Sequence, residues 1–215
     1  MNSKRSARPH LRPLPRSFYD RDVLAVAQEL IGVLLVRRAE DGLCAGRIVE
    51  AEAYLAAGDS ASHSFAGRKN KNASMFGPPG HAYVYPIHSR VCFNVVTEPA
   101  GVGSAVLIRA VEPVDGVPLM QNRRGCERLR DLARGPARLC EAFAITRALD
   151  GWDLTTGDAL WLAKDETDSP QELPIERTTR IGVTSAHDLP LRFILAGSPF
   201  VSGARPADLR SSERA

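Results

Sequence analysis

Val33-Leu34-Leu35-Val36-Arg37-Arg38 and Leu43-Cys44-Ala45-Gly46-Arg47-Ile48-Val49-Glu50-Ala51-Glu52-Ala53-Tyr54 are extended runs separated by a segment containing Asp41-Gly42. Strand-like runs around an Asp-Gly dipeptide predict a β-hairpin, because both residues accept the positive φ of a tight turn. Within the second run, alternation puts Glu50, Glu52 and Tyr54 on one face, opposite Val49, Ala51 and Ala53. Two carboxylates and a phenol therefore share a surface. Turned to solvent, that surface is an ordinary wet strand face. Lining a cleft, a carboxylate beside an aromatic plane can activate water and oppose a developing cation. The strand alone leaves both readings open.

Upstream, Val23, Leu24, Ala27, Leu30 and Ile31 fall at helical spacing, predicting a helix from Asp20 to Ile31 with Asp20 as N-cap and Gly32 as stop. Downstream, residues 56–80 form a polar, glycine-rich stretch ending in Gly77-Pro78-Pro79-Gly80, long enough to be a functional loop. Strands are predicted at Ala82 to Tyr85, Val91 to Val96 and Ala105 to Val111, then a helix from Ala137 to Arg147 opened by Pro136. Ala159 to Leu162, Arg177 to Val183 and Leu191 to Leu195 suggest a second half-sheet. Strands in runs, with helices at intervals, predict a single α+β domain: a largely antiparallel, curved β-sheet with surrounding helices. That domain is expected over residues 17–203, between a flexible basic arm (1–16) and a flexible tail (204–215).

The chain has 215 residues, 44% hydrophobic and 25% charged, which excludes disordered, collagenous and coiled-coil classes. No apolar run approaches the roughly 20 residues that span a bilayer, and the arm lacks a signal-peptide core, so a cytoplasmic protein is expected. Cys44, Cys92, Cys126 and Cys140 are widely spaced and are expected to be reduced core residues. Neither they nor the scattered histidines offer a zinc-ligand spacing, so neither metal nor cofactor is expected.

The net charge of +3 is unevenly laid out. Residues 1–16 carry five basic residues and no acid, and residues 120–147 hold seven Arg against three acids. Residues 150–176 hold eight acids against Lys164. Such polarity suits a protein that grips a polyanion on one side, since Lys and Arg displace counterions from phosphates. A solvated arginine-rich helix beside an acidic loop is the other reading.

Tyr83-Val84-Tyr85 brings two further phenols to one strand face, where they could sandwich a planar ligand or serve as core tyrosines. His63 lies in the polar loop, able to donate to a ligand or simply solvated. Arg109 interrupts the apolar run Ala105-Val106-Leu107-Ile108 and calls for a buried partner, for which Glu52 is a natural candidate.

These residues converge on a known family. The chain resembles the alkyladenine (3-methyladenine, methylpurine) DNA glycosylases from Arg16 to about Gly203. The likeness runs through Ala27-Gln28-Glu29-Leu30-Ile31-Gly32, Ile48-Val49-Glu50-Ala51-Glu52-Ala53-Tyr54 and Met75-Phe76-Gly77-Pro78-Pro79-Gly80-His81-Ala82-Tyr83-Val84-Tyr85. It continues in Cys92-Phe93-Asn94-Val95-Val96, Val106-Leu107-Ile108-Arg109-Ala110-Val111-Glu112-Pro113, Gly135-Pro136-Ala137-Arg138-Leu139-Cys140 and Gly197-Ser198-Pro199-Phe200-Val201-Ser202.

The resemblance implies a base-excision repair enzyme that flips damaged purines of the 3-methyladenine, hypoxanthine and ethenoadenine class from duplex DNA and hydrolyses the N-glycosidic bond. Glu52 would be the general base for a water attacking C1′, with Arg109 and the Ile181 carbonyl helping to hold that water. Tyr54, His63 and Tyr85 would line the base pocket, Tyr54 and Tyr85 stacking on the base, and Asn94 would obstruct the 2-amino group of guanine. No pocket lysine matches a Schiff-base nucleophile, which implies a monofunctional enzyme leaving an abasic site. Where the family has a tyrosine-glycine pair, in a segment one residue longer, this chain has His88, which stands nearest the wedge position, with Arg90 able to hold a phosphate. Arg123, Arg124, Arg128, Arg130 and Arg138 are the further candidates for phosphate contacts. The implied partner is double-stranded DNA, bound by a monomer away from membranes. The altered wedge leaves open a catalytically weak lesion-binding protein. A nucleoside hydrolase would explain the carboxylates and tyrosines but not the basic segments.

Overall fold

A computed structural model describes residues 11–164 and 173–203. Eight strands form one sheet: β1 (Leu34–Ala39), β2 (Gly42–Tyr54), β3 (Ala82–Ile87), β4 (Arg90–Thr97), β5 (Ser104–Asp115), β6 (Leu160–Ala163), β7 (Ile175–Thr178) and β8 (Arg192–Leu195). The order is β3-β4-β5-β2-β1-β6, with β8 on β2 and β7 on β8. Every pairing is antiparallel, as expected for the α+β class. The predicted hairpin is β1–β2, paired from Leu34↔Arg47 to Ala39↔Gly42.

The expected second half-sheet is not separate. Strand β2 is 13 residues long, so along one edge it pairs first with β1 and then, at Glu50 to Glu52, with β8. Its other edge belongs to β5. The Glu50-Ala51-Glu52 segment thus has neighbours on both sides.

Helices α1 (Arg16–Tyr19), α2 (Val23–Glu29), α3 (Val117–Arg124) and α4 (Pro136–Ala142) complete the fold. The single helix expected from Asp20 is two: Asp20 ends α1, and Asp22 caps α2 by accepting from the Leu24 and Ala25 N–H groups at 3.0 Å. The predicted helix at 137–147 stops at Ala142, because Ala144 takes a positive φ of 49° that an α-helix cannot continue through. Helix α3, which opens the arginine-rich stretch, has no strong apolar stripe. Glycines with positive φ, Gly116 and Gly125, bracket it.

The main core unites Val26 and Leu30, Leu139 and Phe143, and one face of the sheet: Ile48, Ala51, Ala53, Val84, Phe93, Val106 and Ile108. The neighbouring strand residues Tyr83, Glu52 and Asn94 point to the opposite face. The predicted alternation fails at one place. Register shifts on either side of Glu50 leave Val49 packed with Ala110 and Phe200, away from Ala51 and Ala53.

The expected domain boundary also moves. Leu14 is buried and donates its N–H to Leu162, Trp161 Nε1 donates to the Leu11 carbonyl, and Arg16 pairs with Asp153 at 2.6 Å. Residues 11–16 therefore belong to the domain; residues 1–10 and 204–215 lie outside the described residues. Cys44, Cys92 and Cys140 are buried thiols as expected, whereas Cys126 is only half-buried.

Candidate active site

Glu52 lies in the middle of the sheet and is fully buried. Its Oε2 accepts from Tyr54 OH at 3.0 Å and from Arg109 Nη1 at 3.2 Å; its Oε1 accepts the Ile181 N–H at 2.8 Å. A carboxylate offers about four lone-pair sites, so one on Oε1 stays open. The Ile181 carbonyl accepts from the same Arg109 Nη1, at 3.3 Å. Burial pushes the Tyr54 phenol well above its ordinary pKa and the Glu52 charge adds to this, so it stays protonated and donates. Burial works to lower the Arg109 pKa, but Glu52 and Glu50 outweigh it and hold the guanidinium charged.

Beside the carboxylate is a narrow cleft lined by Tyr54, His63, Met75, Tyr83, Tyr85 and Asn94. His63 Nδ1 bonds Tyr83 OH at 2.8 Å, and its ring stands edge-on to Tyr85 at 4.5 Å. Burial, and then the nearby Lys71 charge, lower the His63 pKa below its ordinary value. The loop carrying His63 is fixed by buried Asn72, whose Nδ2 donates to the His63 and Gly67 carbonyls at 2.8 and 3.1 Å. Asn94 is itself held, donating to the Tyr83 carbonyl across β3–β4 at 3.0 Å. A slot walled by planar rings, with an ionisable group and a fixed guanidinium at one end, suits a flat heterocycle whose attached carbon is to be attacked by water.

A sequence model of the methylpurine-DNA glycosylases (MPG) matches residues 17–199. The chain belongs to this family. Three relatives, each named "Putative 3-methyladenine DNA glycosylase", match nearly end to end. One from Koribacter versatilis is 48% identical, over 94% of this chain and 98% of its own. One from Methanoculleus marisnigri is 50% identical (88% and 98%), and one from Mesorhizobium japonicum is 50% identical (90% and 91%). Membership makes the protein a DNA glycosylase, a hydrolase of N-glycosyl bonds.

For a methylpurine-DNA glycosylase, the structure brings together Glu52, Arg109, Tyr54, His63, Tyr85, Asn94 and Ile181 in one place. The expected phosphate contacts are scattered. Arg123 is occupied by Asp41 and donates to the Ala142 carbonyl at 2.8 Å; Arg124 is occupied by Glu141 and by the Leu132 carbonyl at 3.1 Å. Both tie α3 to its neighbours. Arg130 donates to the Pro199 carbonyl at 3.0 Å, and exposed Arg128 lies 3.5 Å from Asp131. Arg90 and Arg138 are exposed. His88 is at the tip of the β3–β4 hairpin, with a positive φ of 52°, next to Ile87, which is 43% exposed.

Three features escaped the sequence reading. Met75 completes the cleft, beside the Tyr83 already read as a strand-face phenol. Asp59 and Arg180 form a fully buried pair, with Nη–Oδ distances of 2.7 and 2.6 Å, and Arg180 lies 4.6 Å over the Tyr54 ring. Glu50 binds Arg109, Arg192 and Ser202. Arg192 carried a signal, since it opens the apolar run Phe193-Ile194-Leu195 as Arg109 ends one. Arg180 lies in a polar stretch and carried none. No helix among the described residues is long and apolar enough to cross a membrane.

Proposed function

We propose that the protein removes alkylated and deaminated purines from duplex DNA by flipping the nucleotide into the cleft and hydrolysing its glycosidic bond with a water activated by Glu52. The observation that carries this reading is the buried Glu52 carboxylate, oriented by Tyr54, Arg109 and the Ile181 N–H, with one acceptor site left open beside the aromatic slot. Water seated between Oε1 and the Ile181 carbonyl gives its proton to Glu52 as it attacks C1′. The same negative charge opposes the cation that builds up on the sugar. A ring-alkylated purine is already a good leaving group, so positioning and electrostatics supply what its release needs; a neutral deaminated purine also takes up a proton as it leaves. Stacking on Tyr54 and Tyr85 offsets the cost of extruding the base.

The same reading places the backbone-binding surface at the cleft mouth. An outer hollow of about 680 Å³ shares His63, Tyr83 and Tyr85 with the slot and is also lined by Lys69 and Lys71. These two ammonium groups, with exposed Arg90 and Arg138, replace Arg123 and Arg124 as the phosphate contacts. The hairpin tip, Ile87 and His88, is the wedge that fills the vacated stack, since an exposed aliphatic side chain can enter a base step as readily as an aromatic one. Duplexes carrying hypoxanthine, 1,N6-ethenoadenine or 3-methyladenine, incubated with the protein and then treated with alkali, test the proposal. Strand cleavage at a lesion is expected. Binding without cleavage at any of the three would instead identify a lesion-binding protein.

A further inference from the structure

The mechanism just proposed leaves the buried Glu50 carboxylate without a task. Glu50 is fully buried two residues from Glu52 and, like Glu52, accepts three hydrogen bonds, two of them from arginines. Its Oε1 accepts from Arg109 Nε at 3.1 Å and Arg192 Nε at 2.6 Å, and its Oε2 accepts the Ser202 N–H at 2.6 Å. Arg192 Nη2 also donates to the Ser202 carbonyl at 3.1 Å, and Arg109 Nη2 reaches Ser202 Oγ at 3.5 Å. The two arginines come from the strands flanking β2: Arg109 from β5 and Arg192 from β8. Both are more than nine-tenths buried.

Two carboxylates and two guanidiniums therefore balance in a region screened from water. The balance is not symmetric, because Arg109 touches both carboxylates whereas Arg192 touches Glu50 alone. We propose that Glu50 and Arg192 are positioning residues: Glu50 fixes the Arg109 guanidinium so that Nη1 faces Glu52, and Arg192 cancels the Glu50 charge so that Glu52 keeps the strength of a working base. This rests on Glu52 being that base.

Without Glu50, two positive charges face one carboxylate, which weakens it as a proton acceptor. Without the Arg192 charge, two negative charges share one guanidinium, and Glu52 becomes harder to ionise. The other groups facing Glu52 are Tyr54 on its own strand, Cys92 on β4 and Arg180 from the loop before β8; these are the same in every variant.

The test follows single-turnover release of hypoxanthine from duplex DNA against pH, with lesion binding measured alongside. In Glu50→Gln the acidic limb of the profile is expected to move down by about one pH unit, and in Arg192→Gln to move up by about as much. Arg192→Lys, which keeps the charge and loses the bonding pattern, should hold the limb in place while lowering the plateau rate. A purely structural pair would lower rates in all three without opposite shifts. Limbs that move together or not at all overturn the proposal. Should Glu50→Gln fail to bind the lesion duplex, the two Arg192 variants decide, and identical limbs in them overturn it. Glu52→Gln run alongside separates the two levels: wild-type release in that variant defeats the Glu52 reading itself, whereas a dead Glu52→Gln with unmoved limbs defeats only the role of Glu50 and Arg192.

Discussion

Replacing Glu52 by Gln keeps the shape of the side chain and removes one of its two acceptor atoms. The amide oxygen must face Arg109 Nη1, which can only donate, so the NH₂ group is left against the Ile181 N–H. A buried donor facing a donor costs about 1–3 kcal/mol. At roughly 2–4 °C per kcal/mol for a domain of this size, Tm should fall by about 2–12 °C, leaving a folded protein at assay temperature. The cleft walls are untouched, so lesion-DNA binding should hold within a few fold. Base release should not: loss of a positioned general base removes about 10²–10⁴ in rate, a barrier increase of about 3–5 kcal/mol. Single-turnover gels with enzyme in excess, together with a filter-binding titration, separate the two quantities. Release at the wild-type rate by a variant that still binds would refute the assignment of the base to Glu52.

Asp59→Asn removes one half of a fully buried ion pair and strands the Arg180 charge over Tyr54; about 3–5 kcal/mol of stability should be lost, and a thermal melt within 2 °C of wild type would contradict the buried geometry. Lys69→Ala and Lys71→Ala should each flatten the slope of log affinity against log salt by about one unit, while Arg123→Ala leaves it unchanged and lowers Tm; the reverse pattern would return the phosphate contacts to α3. His63, with its pKa held down, stays neutral in the folded state below the pH at which the unfolded chain has already taken up a proton. Its stabilising contribution is complete above the ordinary histidine value of 6.5 and is lost as pH falls through the lower folded value; an NMR titration at or above 6.5, or one that Lys71→Ala does not move upward, would contradict this. His88→Tyr should tighten binding to duplex containing an abasic analogue, and equal affinities at fixed salt would take His88 out of the wedge.

Most of the site was legible because it lies on strands. Glu52, Tyr54, Tyr85 and Asn94 occupy regular ladder positions, where alternation fixes the facing of each side chain, whereas Arg109 falls at a register shift and was legible as a charge in an apolar run. Loop contributions were legible only through resemblance: nothing in the spacing of His63 or Ile181 places either beside Glu52, and that proximity comes from the Asn72 and Arg180 anchors. The arginine-rich stretch shows a different limit. Composition counts charges but does not see the partners that neutralise them. Asp41 lies 82 positions from Arg123, and Glu141 faces Arg124 from the next helix. The outer helices were misjudged at their ends, where a cap or a positive φ at a single residue decides the boundary.

The failure of alternation around Glu50 lies at the site itself, and it explains why Glu50 is buried. In β2, Ile48 and Ala51 both face the helices, so Val49 and Glu50 together fill the step between them; in β5, Ile108 and Val111 do the same around Arg109 and Ala110. Opposed irregularities of this kind bend both strands and loosen the ladder locally, which gives the Arg109 side chain room to reach Glu50 and Glu52 at once. They also put two apolar residues, Val49 and Ala110, on the carboxylate face. There they seat Phe200, and with it Ser202 arrives over Glu50. That apolar contact, with Arg130 and Arg134 donating to the Pro199 and Val201 carbonyls, holds residues 199–203 across two charges that the strand pattern alone would leave facing water. It follows that trimming Phe200 to Ala should open the network from behind, so that hydrogen exchange at the Ser202 amide rises before the rest of the sheet loosens.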